Sequence, residues 1–196
     1  MKTSIIMQPT GEPITRQEAK VFLKITHDQE DDLIQHFIKT ARKVVEGHTR
    51  RKLLTQTVAS ILPFRPNHQK KKGLQRVWTS GDRFALFLPR GPVQKVTKVE
   101  CLSEEGVAEP VRSADYHVHP YHDPALFVTA DNKGWGLRIT YEAGYGDAAE
   151  DVPAPLRQAL FQMVAQLHGH RDAPEGRLIK GVEGLLAPYK LPGGVL

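Results

Sequence analysis

The side chains with the most chemistry to offer lie in one stretch, Tyr116-His117-Val118-His119-Pro120-Tyr121-His122-Asp123. Side chains alternate across a strand, so His117 and His119 would share a face and could present two imidazoles to a transition metal, with His122 and Asp123 just beyond. No second ligand group at a recognisable spacing accompanies them. A polar strand edge running into a proline-containing loop accounts for the stretch, and no metal is expected. His168-Gly169-His170 is weaker, because residues two apart on a helix do not face each other. Cys101, the single cysteine, permits neither an intrachain disulfide nor a cysteine-based zinc site, which suits a reducing compartment. It falls in a strand-like run with no activating partner nearby.

Other catalytic patterns are missing from the sequence. Gly134-Trp135-Gly136 and Gly144-Tyr145-Gly146 stop short of a phosphate-cradling glycine pattern and read as turns. There is no Gly-x-Ser-x-Gly elbow. The expectation is therefore a protein that is not an enzyme, with no catalytic residue and no cofactor. Two basic clusters remain, Arg50-Arg51-Lys52 and Lys70-Lys71-Lys72, the second flanked by Arg65, His68 and Arg76. These six clustered residues are candidates for sequence-independent phosphate contact. Only Phe64 and Trp78 stand near the lysine run, at its margins, so no base-stacking platform is expected. A solvated hairpin tip explains it as well, and a DNA-binding accessory protein is the alternative function.

The elements that must position these residues differ along the chain. Of 196 residues, 40% are hydrophobic and 25% charged, as in soluble globular proteins. The net charge of +5 is unevenly spread. Residues 1–76 hold 15 Lys and Arg against 7 Asp and Glu, a net of +8, and the remainder nets −3. No apolar run approaches the ~20 residues of a membrane span, and no signal-peptide core precedes Gly11, so a soluble intracellular protein with no membrane partner is expected. Thr15-Arg16-Gln17-Glu18 is a capping box opening a first helix, with Val21, Phe22 and Ile25 as its apolar face. A second helix is predicted over residues 29–47, where Leu33, Ile34, Phe37, Ile38, Ala41, Val44 and Val45 step as a helical stripe.

After Lys52 the pattern turns to short β-type runs at 57–62, 84–88, 93–102, 116–118, 125–128 and 137–141, broken by proline and glycine. Helix returns at about residue 155, with Leu156, Leu160, Met163, Val164 and Leu167 on one face, and one or two helical turns are predicted over 182–189. The fold class expected is α+β: an α-helical bundle core formed by both ends of the chain, with a small antiparallel β unit inserted. The expected parts are 1–52 (helical), 53–150 (β-rich insertion) and 151–196 (helical, with a docking tail).

The order of several short motifs then becomes informative. Gly11-Glu12-Pro13-Ile14-Thr15-Arg16-Gln17-Glu18-Ala19-Lys20 is followed by the acids of 28–32 and the stripe of the second helix. Next come Arg51-Lys52-Leu53-Leu54-Thr55-Gln56-Thr57 and Leu88-Pro89-Arg90-Gly91-Pro92-Val93-Gln94-Lys95-Val96. Ala114-Asp115-Tyr116, Ile139-Thr140-Tyr141-Glu142-Ala143-Gly144-Tyr145-Gly146, Val152-Pro153-Ala154-Pro155-Leu156-Arg157-Gln158-Ala159 and Leu185-Leu186-Ala187-Pro188-Tyr189 complete the series. In this order they resemble the head–tail connector (adaptor, or head-completion) proteins of long-tailed phages, prophages and gene transfer agents.

That resemblance implies a structural subunit at the head–tail junction of a virion, made in the bacterial host cytoplasm. It implies a homo-oligomeric ring, commonly twelvefold, beneath the portal protein, with a stopper or tail-terminator protein on the tail side. DNA would pass through the channel without being read. The fold implied is a helical bundle with a β insertion in longer members. A docking arm onto the portal would start at Arg177 and use Leu178, Leu185, Leu186 and Tyr189. The basic loop 67–76 and the Pro/Gly-rich tail 191–196 depart from the family pattern. A closed ring joins unlike faces, which the uneven charge suits.

Overall fold

The computed structural model describes residues 2–63, 76–80, 83–119, 126–129, 136–170, 178 and 180–191. The chain divides into two compact units, Pro9–Thr55 with Tyr145–Lys190, and Met1–Gln8 with Gln56–Gly144 and Leu191–Leu196.

The first of these is helical. It holds α1 (Arg16–Leu23), α2 (Asp31–Thr49), α3 (Ala154–Gly169) and α4 (Lys180–Leu186), the last continued by a 3-10 turn at Ala187–Tyr189. The stripe predicted for the second helix is the core: Ile34, Phe37, Ile38, Ala41 and Val45 of α2 are buried, and Leu33 and Val44 pack at its margin. Leu156, Leu160, Met163 and Val164 of α3 meet them, as predicted for that face, together with Ala159, while the predicted Leu167 packs only at the margin. No described helix is long and apolar enough to cross a membrane.

The second unit is built of strands. A five-stranded antiparallel sheet runs β1 (Lys2–Met7), β2 (Gln56–Pro63), β9 (Gly136–Ala143), β5 (Val93–Leu102), β6 (Ala108–Pro110). A four-stranded sheet runs β3 (Arg76–Ser80), β4 (Arg83–Phe87), β8 (Leu126–Thr129), β7 (Tyr116–His119). The central strand β9 alternates as a half-buried strand should, with Leu137, Ile139, Tyr141 and Ala143 inward. Val58, Leu88 and Val99 complete that core. The Tyr141 hydroxyl, fully buried, donates to the Pro89 carbonyl and lies 3.1 Å from Ser60 Oγ. Gly91–Pro92 is a cis peptide bond.

The expected fold class needs correction. The β part is not a small unit, since it comprises nine described strands in two sheets. Nor does it come from the middle of the chain alone, since Met1–Gln8 and Leu191–Leu196 belong to the sheet unit. The helical core is drawn from both flanks of the chain, as expected, but from Pro9–Thr55 and Tyr145–Lys190 rather than from its very ends. The N-terminal residues form β1, which zips antiparallel onto β2 from Lys2↔Ile61 to Met7↔Thr57 and so satisfies its backbone on one side. The structure is a mixed α+β chain in which sheet and helices carry separate cores.

Candidate functional site

The best-organised polar geometry lies in the helical unit, where it fixes the N-terminal half. Thr15 Oγ1 accepts from the Glu18 backbone N–H at 3.1 Å, and Glu18 Oε2 accepts from the Thr15 N–H at 2.7 Å, which makes the predicted capping box. The other carboxylate oxygen of Glu18 takes a 2.6 Å bond from Arg157 Nη2 on α3, whose Nε also donates to the Pro13 carbonyl. Partial burial pushes the Glu18 carboxyl up, but the Thr15 hydrogen bonds and the Arg157 charge together outweigh it and hold the group below its ordinary value. Lys24, left-handed at φ 58°, ends α1. Beneath that turn Lys20 Nζ bonds Asp28 at 2.5 Å and Asp31 at 2.8 Å. These hydrogen bonds raise the Lys20 amine and lower the Asp28 carboxyl.

A chain of alternating charges runs through the interior of the same unit. Arg42 on α2 grips Glu12 in the segment ahead of α1 with Nε and Nη2, at 2.7 and 3.2 Å. Its Nη1 lies 3.9 Å from Glu46, one turn on, and Glu46 accepts from Lys52 Nζ at 2.7 Å and from the Leu53 N–H at 3.1 Å. All four side chains are at most 13% exposed. Buried charges persist only when paired and hydrogen-bonded, and here two cations and two anions meet both conditions.

This arrangement accounts for part of the basic cluster. Arg50 is the left-handed residue that ends α2. The reversal turns Arg51 and Lys52 inward, where Arg51 Nε donates to the Tyr189 carbonyl and Lys52 serves Glu46. Both are buried, so neither offers its charge to a phosphate at the surface. Lys70, Lys71 and Lys72 lie outside the described residues.

The candidate docking residues divide similarly. Arg177 lies outside the described residues. Leu186 is fully buried in the helical core, and Leu178, Leu185 and Tyr189 pack against it. The segment's exposed positions among the described residues are Gly181, Glu183, Gly184, Ala187, Pro188 and Lys190. His48 on α2 is lowered by its burial and by the nearby Lys190 charge, against the opposing pull of Glu183.

His117 and His119 do share a face of β7, as the alternation requires, and that face is exposed. His122 and Asp123 lie outside the described residues. Among the described residues no group of three or more His, Cys, Asp or Glu could hold a metal. Cys101 is a half-buried thiol on β5, opposite Leu137 and Glu109.

The structure also brings out residues that the sequence did not mark. Val21 and Phe22, expected to face the core, are 69% and 43% exposed. The inward side of α1 is taken instead by Ala19 and the aliphatic stem of Lys20, with Leu23 packed at the margin. Phe22 stacks on Phe161 of α3 with centroids 5.3 Å apart. In the sheet unit Ile5, Ile6 and Met7 are 41%, 63% and 65% exposed on β1. An apolar helix face without a core partner, or an edge strand ending in three apolar residues, was the available signal.

Comparison with known proteins agrees with this picture. No curated protein matches the sequence. Residues 14–72 match the family model described as phage gp6-like head-tail connector protein. Among solved structures, a chain in the neck of an empty GTA particle computed with C6 symmetry superposes with a TM-score of 0.72 at 22% identity, covering 99% of this chain and 100% of that one. A chain in the neck of a native GTA particle computed with C12 symmetry gives 0.72 at 21% identity over the same shares. A chain in the virion of a native gene transfer agent gives 0.73 at 21% identity, over 98% of this chain and 97% of that one. The resemblance to the head–tail connector family therefore holds at two levels, with residues 14–72 matching its phage gp6-like model and nearly the whole chain sharing the fold of gene transfer agent neck chains.

Proposed function

We propose that the chain is a structural head–tail connector subunit of a phage-like particle. It forms a ring under the portal and joins the DNA-filled head to the tail or its stopper. The observation that carries the reading is the end-to-end coincidence with a neck chain, 99% of this chain against 100% of that one. A connector shares its whole architecture with such a subunit, whereas an unrelated protein reusing one module would match over one unit. The family match at residues 14–72 supports it independently, because it spans both N-terminal helices and the buried Arg42–Glu46–Lys52 chain.

A scaffold role suits the polar chemistry described above. Its best-ordered charges are spent within the helical unit, where Glu12, Arg42, Glu46 and Lys52 pair with one another in the interior. Portal docking, in this reading, falls to the exposed side of the terminal segment, with Glu183 and Lys190, while its leucines hold that segment to the core. Passing DNA is not read. The test is electron microscopy of portal-bearing heads incubated with the protein. A ring at the portal vertex is expected, and a chain that remains free of heads and portals at every concentration tried overturns the reading.

A further inference from the structure

Rings built from identical subunits need two different faces on each copy, one meeting the other on the next. Six large hydrophobic residues are exposed among the described residues, and five fall in two short groups: Ile5, Ile6 and Met7 on β1, and Val21 and Phe22 on α1. We propose that these two groups are the two halves of one subunit contact. The end of β1 in one copy seats on the Val21–Phe22 surface of the next. The inference rests on the ring reading above and names the faces that close it.

The two groups differ in shape as a head-to-tail pair should. Ile5 pairs with Val58, and the register then shifts between Ile5 and Met7, so Ile6 falls at an irregularity in the ladder; all three side chains are exposed. The end of β1 is therefore a run of three exposed apolar side chains at the edge of its sheet. An edge of that kind is an association hazard unless something covers it. The α1 surface is a receiver. Phe22 lies nearly parallel to Phe161 and borders a groove of about 500 Å³ lined also by Gln162, Ala165 and Gln166. The apolar strand end and the aromatic-edged groove bury each other's exposed carbon, with Gln162 as a polar group on the groove's lining.

A contact of five apolar residues falls well short of the ~800 Å² per partner of a stable complex. One such seam is weak. Subunits would remain apart in dilute solution and gather only where a template raises their local concentration.

Cysteine cross-linking tests the pairing in the full chain, in a C101S background. Variants Ile6→Cys and Val21→Cys are made singly and together, bound to portal-bearing heads, treated with a long-arm bismaleimide and run on denaturing gels. The double variant is expected to give a ladder reaching the full ring. Each single variant should give monomer only, and an equal mixture of the two should stop at dimer. Rings visible on heads while the double variant stays monomeric overturn the pairing and leave the connector reading intact. Dimers from Ile6→Cys alone would mean a two-fold β1–β1 contact and also overturn it. If no variant and no parent protein forms rings on heads, the connector reading fails and takes this inference with it. As a second measurement, Ile6→Asp and Val21→Asp should each abolish ring formation while melting like the parent, since both positions are mostly exposed.

Discussion

Arg157 of α3 holds Glu18 of α1 through a 2.6 Å bond between residues 139 positions apart. Glu18 is at the same time the reciprocal partner of the Thr15 cap. One carboxylate thus completes a local motif and clamps α3 onto α1. Removing the cap with Thr15→Ala should cost about 1 kcal/mol. Arg157→Ala should cost a comparable or smaller amount, as partly exposed ion pairs do. Because both act through Glu18, the double variant should lose less than the sum, and denaturant titration of the four proteins measures the shortfall.

The same carboxylate gives the helical unit a pH dependence of known sign. Glu18 is held below its ordinary value of 4.5, so the unfolded chain takes up its proton first as the pH falls. The stabilisation is fully present above that value and drains away as the pH drops through the lower folded one. Thermal melts from pH 7 to pH 3 should therefore separate the parent from Glu18→Gln at the upper end and bring them together at the lower. A constant difference across the range would contradict the arrangement.

The buried charge chain predicts an asymmetry. Glu46 lies between Arg42 and Lys52 and also accepts from the Leu53 N–H. Glu46→Ala leaves Lys52 buried with its partner gone, a situation that costs about 3–5 kcal/mol. Lys52→Met leaves Glu46 with Arg42 and the Leu53 amide, while its side chain fills similar space. It should cost much less. Equal losses in urea denaturation would argue against Glu46 as the centre of the chain.

Why some of this was legible and some was not follows from the range of the interactions. The capping box at Thr15 and the stripe of α2 are local patterns, and they appear where predicted. The predicted run 93–102 coincides with β5. Strand β1 was missed because Lys2–Met7, with its apolar residues bunched at the end, carries no alternation of its own; its partner lies fifty or more residues on, at Thr57–Ile61. Three-residue β6 carries no pattern of its own. Arg51 and Lys52 read as candidates for phosphate contact, since a sequence does not reveal that Arg50 adopts φ 60° and turns Lys52 back onto Glu46. The one available hint was Glu46 itself, an acid directly beside Val45 of the apolar stripe.

In the sheet unit the sensitive group is Tyr141. Its buried hydroxyl donates to the Pro89 carbonyl and meets Ser60. Tyr141→Phe should lower stability by about 1–2 kcal/mol, the cost of a lost buried hydrogen bond with its partner left behind. Burial also pushes the phenol above its ordinary value of 10.0. The unfolded chain then loses this proton first, and stability falls as the pH rises past that point. Alkaline melts should show the decline in the parent and a shallower one in Tyr141→Phe.

The terminal segment separates folding from docking. Leu186 has no exposure and belongs to the helical core, so Leu186→Ala should destabilise the chain by about 2–5 kcal/mol. Glu183 and Lys190 lie on the exposed side of the same segment. Reversing both charges, Glu183→Lys with Lys190→Glu, should leave the melting temperature nearly unchanged, because surface substitutions cost little. If the segment docks on the portal through this side, the reversal should weaken binding to purified portal at least tenfold, and most strongly at low salt, where exposed charges act at longest range. Unaltered portal binding by a folded double variant would move the docking surface elsewhere on the chain.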